Sequence, residues 1–369
     1  STGLGGIQSL ISDQLKHFNN EFSNISHTIF TKNKSFIIPN TSTIYGIKGI
    51  LSLIVKSRNK KSIFHSYNNI GSLKFLILFL IIRPRSLIFH ERGNAWNVKV
   101  KNEYIVRKNA SLAKIIICNS NASKLLLNKK FKIPNKKLKV IYNGINIKRH
   151  LKENNKQQNI KKLFKILYVG RIESNKGLHT LLIALSYLKN FSIELNILGN
   201  GSLLEINKKL ANILNLKNIK FLGVKKNVSY YYLRSHLLVV PSIREPFGNV
   251  IVEAALHDIP ILATEVDGIT DIIDKNSLGF LIKPTNKLNY KYLNNVVPIP
   301  EWVVRNNRLS KPKENNPRIF AKKILSILNN YSKAKDKSIK LKNKCITNYS
   351  LPIYTNALVE VYNKVLEKV

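Results

Sequence analysis

Apolar and polar residues alternate along this chain in two recurring periods. Short apolar runs bounded by turn residues occur in "SIFHS" near Ser62, "SLIFHERG" (Ser86 to Gly93), "KIIICNS" (Lys114 to Ser120) and "LKVIYNG" (Leu138 to Gly144). These read as buried strands. Between them "VKVKNEYIVRKNASLA" and "NASKLLLNKK" carry a helical period, and strands that alternate with helices predict a parallel sheet. Residues 1–150 are therefore expected to form one Rossmann-like domain. It opens on "STGLGGIQSLISDQL", where Gly5 and Gly6 lead into a helix-period pattern. The chain contains no Met, even at position 1, so a strand preceding Ser1 is expected to be missing.

The Lys/Asn-rich stretch 148–162 has almost no apolar content and marks a linker. Beyond it six strands are predicted: "FKILYVG" (Phe164 to Gly170), "IELNILG" (Ile193 to Gly199), "IKFLG" (Ile219 to Gly223), "LLVVPS" (Leu237 to Ser242), "PILAT" (Pro260 to Thr264) and "LGFLI" (Leu278 to Ile282). With helical patterns between them they predict a second doubly wound domain over 163–345, and such sheets bind ligands beyond the carboxyl ends of their strands. From Lys283 to about Pro317 the pattern dissolves into Pro, Asn and Lys, and three helical patterns follow. The last, residues 355–369, carries a stripe of Leu358, Val361, Tyr362 and Val365.

Composition adjusts this picture only in part. A length of 369 residues suits two domains, and 44% hydrophobic content excludes a disordered chain. The formal net charge of +41 would suit nucleic acid or an anionic membrane. Much of it accompanies abundant Asn and Ile, the residues of A/T-rich codons, and no nucleic-acid-binding motif supports that partner. A pull toward acidic lipid headgroups remains. Cys118 and Cys345 stand far apart, outside any Cys-x-x-Cys, so neither a disulfide framework nor a zinc site is expected, and a reducing compartment fits. The longest apolar run, "FLILFLII" (Phe75 to Ile82), is too short to span a bilayer and reads as a buried helix that could touch a membrane surface.

Two stretches carry chemistry. "GRIESNKGL" (Gly170 to Leu178) follows a strand and opens a helix, with Ser174 as the expected N-cap and with Arg171 and Lys176 beside it. A helix start and two cations suit a phosphate or diphosphate. "PSIREPFGNVIVEA" (Pro241 to Ala254) places Glu245 before a helix and Glu253 a little over a turn inside it. Pro246 is expected at an early helical position, and Gly248 permits close backbone approach. Two carboxylates on either side of an anion held by the amides of Phe247, Gly248, Asn249 and Val250 match a sugar, a diphosphate and a ribose. Capped helices with solvated side chains are the plain alternative for both stretches.

The second domain resembles the nucleotide-sugar half of the retaining glycosyltransferases of family 4. The resemblance rests on "GRIESNKG", "ILGNGS", "FLG", "VVPSIREPFGNVIVEA" with its Glu-x7-Glu, and "ATEVDGITDII", and is tightest over Phe164 to Ile282. It implies an α/β architecture of the GT-B type: two facing Rossmann-like domains with a cleft between them, the first completed by the C-terminal helix. It further implies that Arg171 and Lys176 bind the donor diphosphate, that Glu245 contacts the donor sugar, and that Glu253 contacts the ribose. Gly5 and Gly6 match a glycine-rich loop reaching toward the donor. His90 in "IFHERG" matches a histidine near the transferred sugar, with Glu91 and Arg92 as alternative acceptor contacts; His65 is a lesser candidate. The pattern departs from the family at "DGITD", where Asp267 and Asp271 stand in place of Gly-Gly and Glu.

These readings imply transfer of a sugar from a nucleoside-diphosphate sugar to an acceptor hydroxyl with retention, in cell-envelope polysaccharide or lipopolysaccharide synthesis. No Asp-x-Asp motif accompanies the site, so no metal and no other cofactor are expected. The expected partners are the nucleotide-sugar donor, a glycan or lipid-linked acceptor and an anionic membrane surface, with no nucleic acid. The expected location is cytoplasmic, peripheral on the inner face of the membrane. A sugar-nucleotide epimerase or phosphorylase of the same fold, or a basic nucleic-acid-binding protein, are the alternatives.

Overall fold

The computed structural model describes residues 6–22, 24–30, 41–44, 46–151, 163–273, 277–294 and 296–367. Gly5 and most of the expected linker lie outside the described residues. The chain forms two compact units, one from Ser1–Asn119, Leu127–Asn146 and Asn348–Val369, the other from Ser120–Leu126 and Ile147–Thr347.

The elements of the first part of the chain are α1 (Gly6–Glu21), β1 (Thr28–Phe30), β2 (Ser42–Ile44), α2 (Gly46–Arg58), β3 (Phe64–Tyr67), α3 (Leu73–Ile82), β4 (Leu87–Glu91), α4 (Glu103–Leu112), β5 (Ile115–Cys118), α5 (Asn121–Phe131) and β6 (Leu138–Val140). Strands β3-β4-β5-β6 lie side by side in that order, all parallel. These are the four strands predicted from the apolar runs. The short parallel pair β1 and β2 and helix α2 were not anticipated. Lys137 closes α4 by donating from Nζ to the carbonyls of Ala110, Ser111 and Ala113, each at 2.9 Å, which satisfies the acceptors at the helix end.

The C-terminal helix, Leu351–Leu366, packs its apolar stripe on this unit. Tyr354, Leu358, Val361 and Val365 form one core with Phe18, Ile88, Ile117 and Ile141. One expectation is corrected here. Helix α3 is not simply buried: Leu76, Phe79 and Ile82 face the sheet, while Ile77, Leu80 and Ile81 are 51%, 50% and 65% exposed.

The second unit contains α6 (Ile147–Leu151), β7 (Phe164–Val169), α7 (Leu178–Ser186), β8 (Ile193–Leu198), α8 (Leu204–Ile213), β9 (Ile219–Gly223), α9 (Ser229–Tyr232), β10 (Leu237–Val240), α10 (Asn249–Ala255), β11 (Ile261–Thr264), α11 (Ile269–Ile272) and β12 (Phe280–Ile282). Its sheet runs β12-β11-β10-β7-β8-β9, all parallel, through the six predicted strands. The chain lays β8 and β9 on one side of β7, then returns to lay β10 on the other. The strand order therefore reverses between β7 and β10, where a doubly wound sheet opens a crevice at its carboxyl edge.

The Pro/Asn/Lys-rich segment contains an antiparallel hairpin of β13 (Val303–Arg305) and β14 (Arg308–Ser310). Asn306 and Asn307 turn it at φ of 48° and 55°, the left-handed pair that a two-residue hairpin loop requires. Helices α12 (Pro317–Asn329) and α13 (Tyr331–Asn348) follow, α12 capped by the Asn316 side chain.

Candidate active site

The two chemistry-bearing stretches leave adjacent strands, β7 and β10, at their carboxyl ends. After β7 the chain makes a 3-10 turn, Ser174–Lys176, before α7 begins at Leu178. Gly177 links the two with φ 63°, and a Cβ there would stand 2.2 Å from the Pro241 carbonyl oxygen. Only glycine lets the two loops approach this closely. The Asn175 carbonyl accepts from the N–H groups of Ile243 and Arg244 at 3.0 and 3.2 Å, which joins the loops a second time.

Ser174 is not an N-cap. Its Oγ donates to the Asn294 carbonyl and accepts from the Asn294 N–H, both at 2.9 Å, and α7 has no side-chain cap. The hydroxyl has been taken by the segment that follows β12. Pro246 also differs from expectation, because α10 begins only at Asn249, with Gly248 before it at φ 108°. Phe247 turns its ring into the core, and Asn249 and Val250 are half-buried at the helix start.

Arg171 is exposed just after Gly170 at the end of β7, and Tyr168 beneath it donates its hydroxyl to the Arg171 carbonyl at 2.9 Å. Lys176 meets Glu245 directly, with Nζ 2.6 Å from Oε2 and most of both side chains buried. The two residues assigned to diphosphate and sugar thus share one place between the loops.

Asp267 supplies the framework for Glu245. Its carboxylate accepts the N–H of Glu245 at 3.0 Å and that of Val304 at 2.6 Å, while the Gly268 N–H returns to the Glu245 carbonyl at 3.0 Å. Asp267 is fully buried and itself takes φ 45°. Burial pushes its carboxyl up from 3.8 to about 7, against the pull of the Val304 amide and the Arg244 guanidinium. The departure from the family's Gly-Gly pattern therefore becomes a tether that fixes Glu245 to the β13–β14 hairpin. Asp271, the second departure, lies on α11, and its carbonyl accepts from Lys344 Nζ at 3.0 Å.

Glu253 sits one turn inside α10 and accepts the Tyr232 hydroxyl at 3.0 Å. Burial raises its carboxyl above the usual 4.5, opposed by the Tyr232 hydrogen bond and the Arg149 charge. The His257 ring pairs with the Glu253 carbonyl at 2.8 Å and lies 5.1 Å from the Tyr232 ring. Sequence reasoning missed Tyr232, which is one of three consecutive tyrosines on the short helix α9 and carries no distinguishing signal.

In the first unit His90 is wholly buried on β4. It stacks against His65, Tyr67 and Tyr354 at 5.3, 5.1 and 6.2 Å between ring centroids. Neither ring nitrogen has a hydrogen-bond partner among the described residues. Burial, then the Arg92 charge, then His65 hold it well below 6.5, so the ring is neutral. His65 shares a hydrogen bond with the Tyr362 hydroxyl at 2.7 Å. Glu91 accepts the N–H groups of Gly93 and Ala95 at 2.6 and 2.9 Å, and Arg92 donates to Gln14 and Tyr354 at 2.7 and 2.9 Å. Both neighbours of His90 are thus engaged within their own unit. Gly6 is the first residue of α1.

Comparison with known proteins decides the family. The model for Glycosyltransferase Family 4 matches residues 50–149, and that for Glycosyl transferases group 1 matches 151–291. Together they account for well over half of the chain. The chain belongs to the family 4, group 1 glycosyltransferases. An uncharacterized glycosyltransferase of Methanocaldococcus jannaschii is 28% identical over 87% of this glycosyltransferase and 90% of its own length. The capsular polysaccharide biosynthesis glycosyltransferase CapM of Staphylococcus aureus is 24% identical over 69% of this chain and 65% of its own. Among solved structures, HepE of Anabaena in complex with UDP superposes with a TM-score of 0.74 at 17% identity, covering 99% of this glycosyltransferase and 98% of that chain. That likeness supports the GT-B fold class expected from the sequence.

Proposed function

We propose that this glycosyltransferase moves a sugar from a nucleoside-diphosphate sugar to an acceptor hydroxyl with retention of configuration and without a metal. One observation carries the reading: the β7 loop with Arg171 and Lys176 and the β10 loop with Glu245 and Glu253 meet at the point where the strand order of the second sheet reverses. The proposed donor lies across that point. Arg171 and Lys176 face its diphosphate, Glu245 the sugar hydroxyls, Glu253 the ribose, and the backbone from Gly170 and from Phe247 to Val250 the groups between them. Gly5 and Gly6 are assigned to the donor by family resemblance alone.

In the proposed step the acceptor oxygen bonds to the anomeric carbon as the bond to the diphosphate breaks. The bonding pair leaves on the diphosphate oxygen, and a donor phosphate oxygen takes the acceptor proton. Charge grows on the diphosphate as the bond loosens, so fixed cations lower the barrier most at that moment. His90 is the first unit's candidate for a place near the sugar, which requires its aromatic stack to open.

The proposed acceptor is a cell-envelope glycan, free or lipid-linked, and the proposed location is the cytoplasmic side of the membrane. The Staphylococcus relative, named for capsular polysaccharide biosynthesis, supports that class. The test is incubation of the enzyme with each nucleotide-sugar series and envelope glycan acceptors, with the anomeric configuration of the product read by NMR. Transfer with the donor's configuration retained is expected. Inversion, conversion of donor without acceptor, or a requirement for inorganic phosphate would each overturn the reading.

A further inference from the structure

The first unit carries an apolar face that the sugar-transfer reading does not use. On α3 the residues Ile77, Leu80 and Ile81 share one side of the helix and are 51%, 50% and 65% exposed. Helix α2 packs beside α3 and exposes Leu51 and Val55 at 58% and 73%. Around the end of α3 a shallow groove is lined by Phe79, Leu80, Arg83, Pro84, Leu87 and Leu112. Exposed aliphatics so concentrated on neighbouring helices mark an interaction surface.

The charge around this face selects its occupant. From Phe22 to His90 the sequence contains no Asp and no Glu, while the exposed cations Lys48, Lys56, Arg58, Lys74, Arg83 and Arg85 lie on or beside α2 and α3. Carboxylates are also absent from residues 104–152 and 206–244, so what singles out this stretch is the coincidence of its cations with the exposed apolar side chains of α2 and α3. A second copy of the chain would bring these cations against their own equivalents, which like-charge repulsion disfavours. An apolar face rimmed by cations matches a bilayer whose surface is anionic, with aliphatic side chains entering the acyl boundary and Lys and Arg at the headgroups. Among the described residues no helix is long and apolar enough to cross a membrane, so contact takes the form of lying on the surface.

We propose that α2 and α3 dock this protein on an anionic lipid surface, with Leu51, Val55, Ile77, Leu80 and Ile81 inserted and Lys56, Arg58 and Arg83 at the headgroups. Vesicle binding needs no donor, so this inference and the sugar-transfer reading fail independently.

The experiment is flotation of the full chain with phosphatidylcholine vesicles, with and without about 30% phosphatidylglycerol, at a salt concentration of about 0.15 M. Because the whole protein is basic, the deciding variant is Ile77→Ser/Ile81→Ser, which keeps every charge. Binding to the anionic vesicles is expected to fall by about tenfold or more, with thermal unfolding unchanged because both side chains are exposed. Lys56→Glu/Arg83→Glu should weaken binding far more than Lys217→Glu/Lys226→Glu, an equal charge change in the second unit. The native cysteines are both buried, so a fluorophore on Ile81→Cys should report position 81 and shift to the blue with anionic vesicles. Unchanged binding by the double serine variant would show that charge alone is responsible and would overturn the proposal. So would a wild-type dimer that the same variant converts to a monomer, with no vesicle binding by either.

Discussion

Nζ of Lys176 lies 2.6 Å from Oε2 of Glu245, so the cation assigned to the diphosphate and the carboxylate assigned to the sugar are already partners. In the proposed complex the ammonium would be shared between that carboxylate and the donor phosphate, which would align sugar and leaving group together. Lys176→Ala is expected to lower kcat by about 10²- to 10³-fold, the scale of losing one fixed donor to a developing charge. Lys176→Arg should recover only part of that, because a planar fork replaces a point charge. Steady-state kinetics of both variants test the point; kcat within twofold of wild type for Lys176→Ala would contradict it.

Tyr232 positions Glu253. Its hydroxyl favours the ionised carboxylate, whose pKa burial already raises. Tyr232→Phe removes that opposing influence, so Glu253 should take up a proton at higher pH than in the wild type. A ribose hydroxyl donates best to the ionised form, so the acid limb of nucleotide binding should move upward in pH while the high-pH plateau changes little. Isothermal titration across pH distinguishes this from a general loss of structure, which would lower the plateau and leave the limb in place.

Asp267 should make stability depend on pH. Its folded value of about 7 lies above its ordinary value of 3.8. The folded state therefore holds the proton more tightly than the unfolded chain. The resulting stabilisation is complete below about 3.8 and is lost as pH rises through about 7. Asp267→Asn should lower stability at every pH, since an amide nitrogen would face a backbone N–H, yet show a smaller decline from pH 5 to pH 8. Urea unfolding at several pH values measures the two slopes, and equal slopes would refute the assignment.

His90 is packed against three rings, those of His65, Tyr67 and Tyr354, and is shielded from solvent. His90→Ala leaves a cavity in that stack and is expected to cost about 2 to 4 kcal/mol in stability of the first unit. Differential scanning calorimetry reads this directly. An unchanged melting profile with a large fall in kcat would instead mean that the ring works in the reaction and is not needed for packing.

Much of the second unit was legible because its strands are short apolar runs, buried in the middle of the sheet and partly exposed at its edges β9 and β12, and each of the six predicted from 163 onward is present. Four strands of the first unit were legible for the same reason. Strands β1 and β2 were not, because Thr28–Phe30 and Ser42–Ile44 mix Thr and Ser with few apolar residues and bury none of them fully. The Asn306–Asn307 turn of the β13–β14 hairpin was hidden by Asn-rich surroundings that made it look like linker. The meeting of Lys176 with Glu245 depends on strand order, since it requires β10 to lie beside β7, and no local pattern reports that. Asp267 shows the same limit in another form: its sequence marked a departure from a family motif, but only the fold reveals that its carboxylate ties Glu245 to Val304. Helix α3 was read as buried because it is apolar all round; exposure of one of its faces could not be seen without its neighbours.

The most direct test of the account is calorimetric titration of the wild type, Lys176→Ala and Glu253→Ala with UDP, GDP and ADP and their sugars. Binding of one nucleotide series, weakened by about tenfold or more in each variant, is the predicted result and would place the donor where β7 and β10 meet. Wild-type binding that both variants retain in full, or no binding of any nucleotide by a folded wild type, would contradict it.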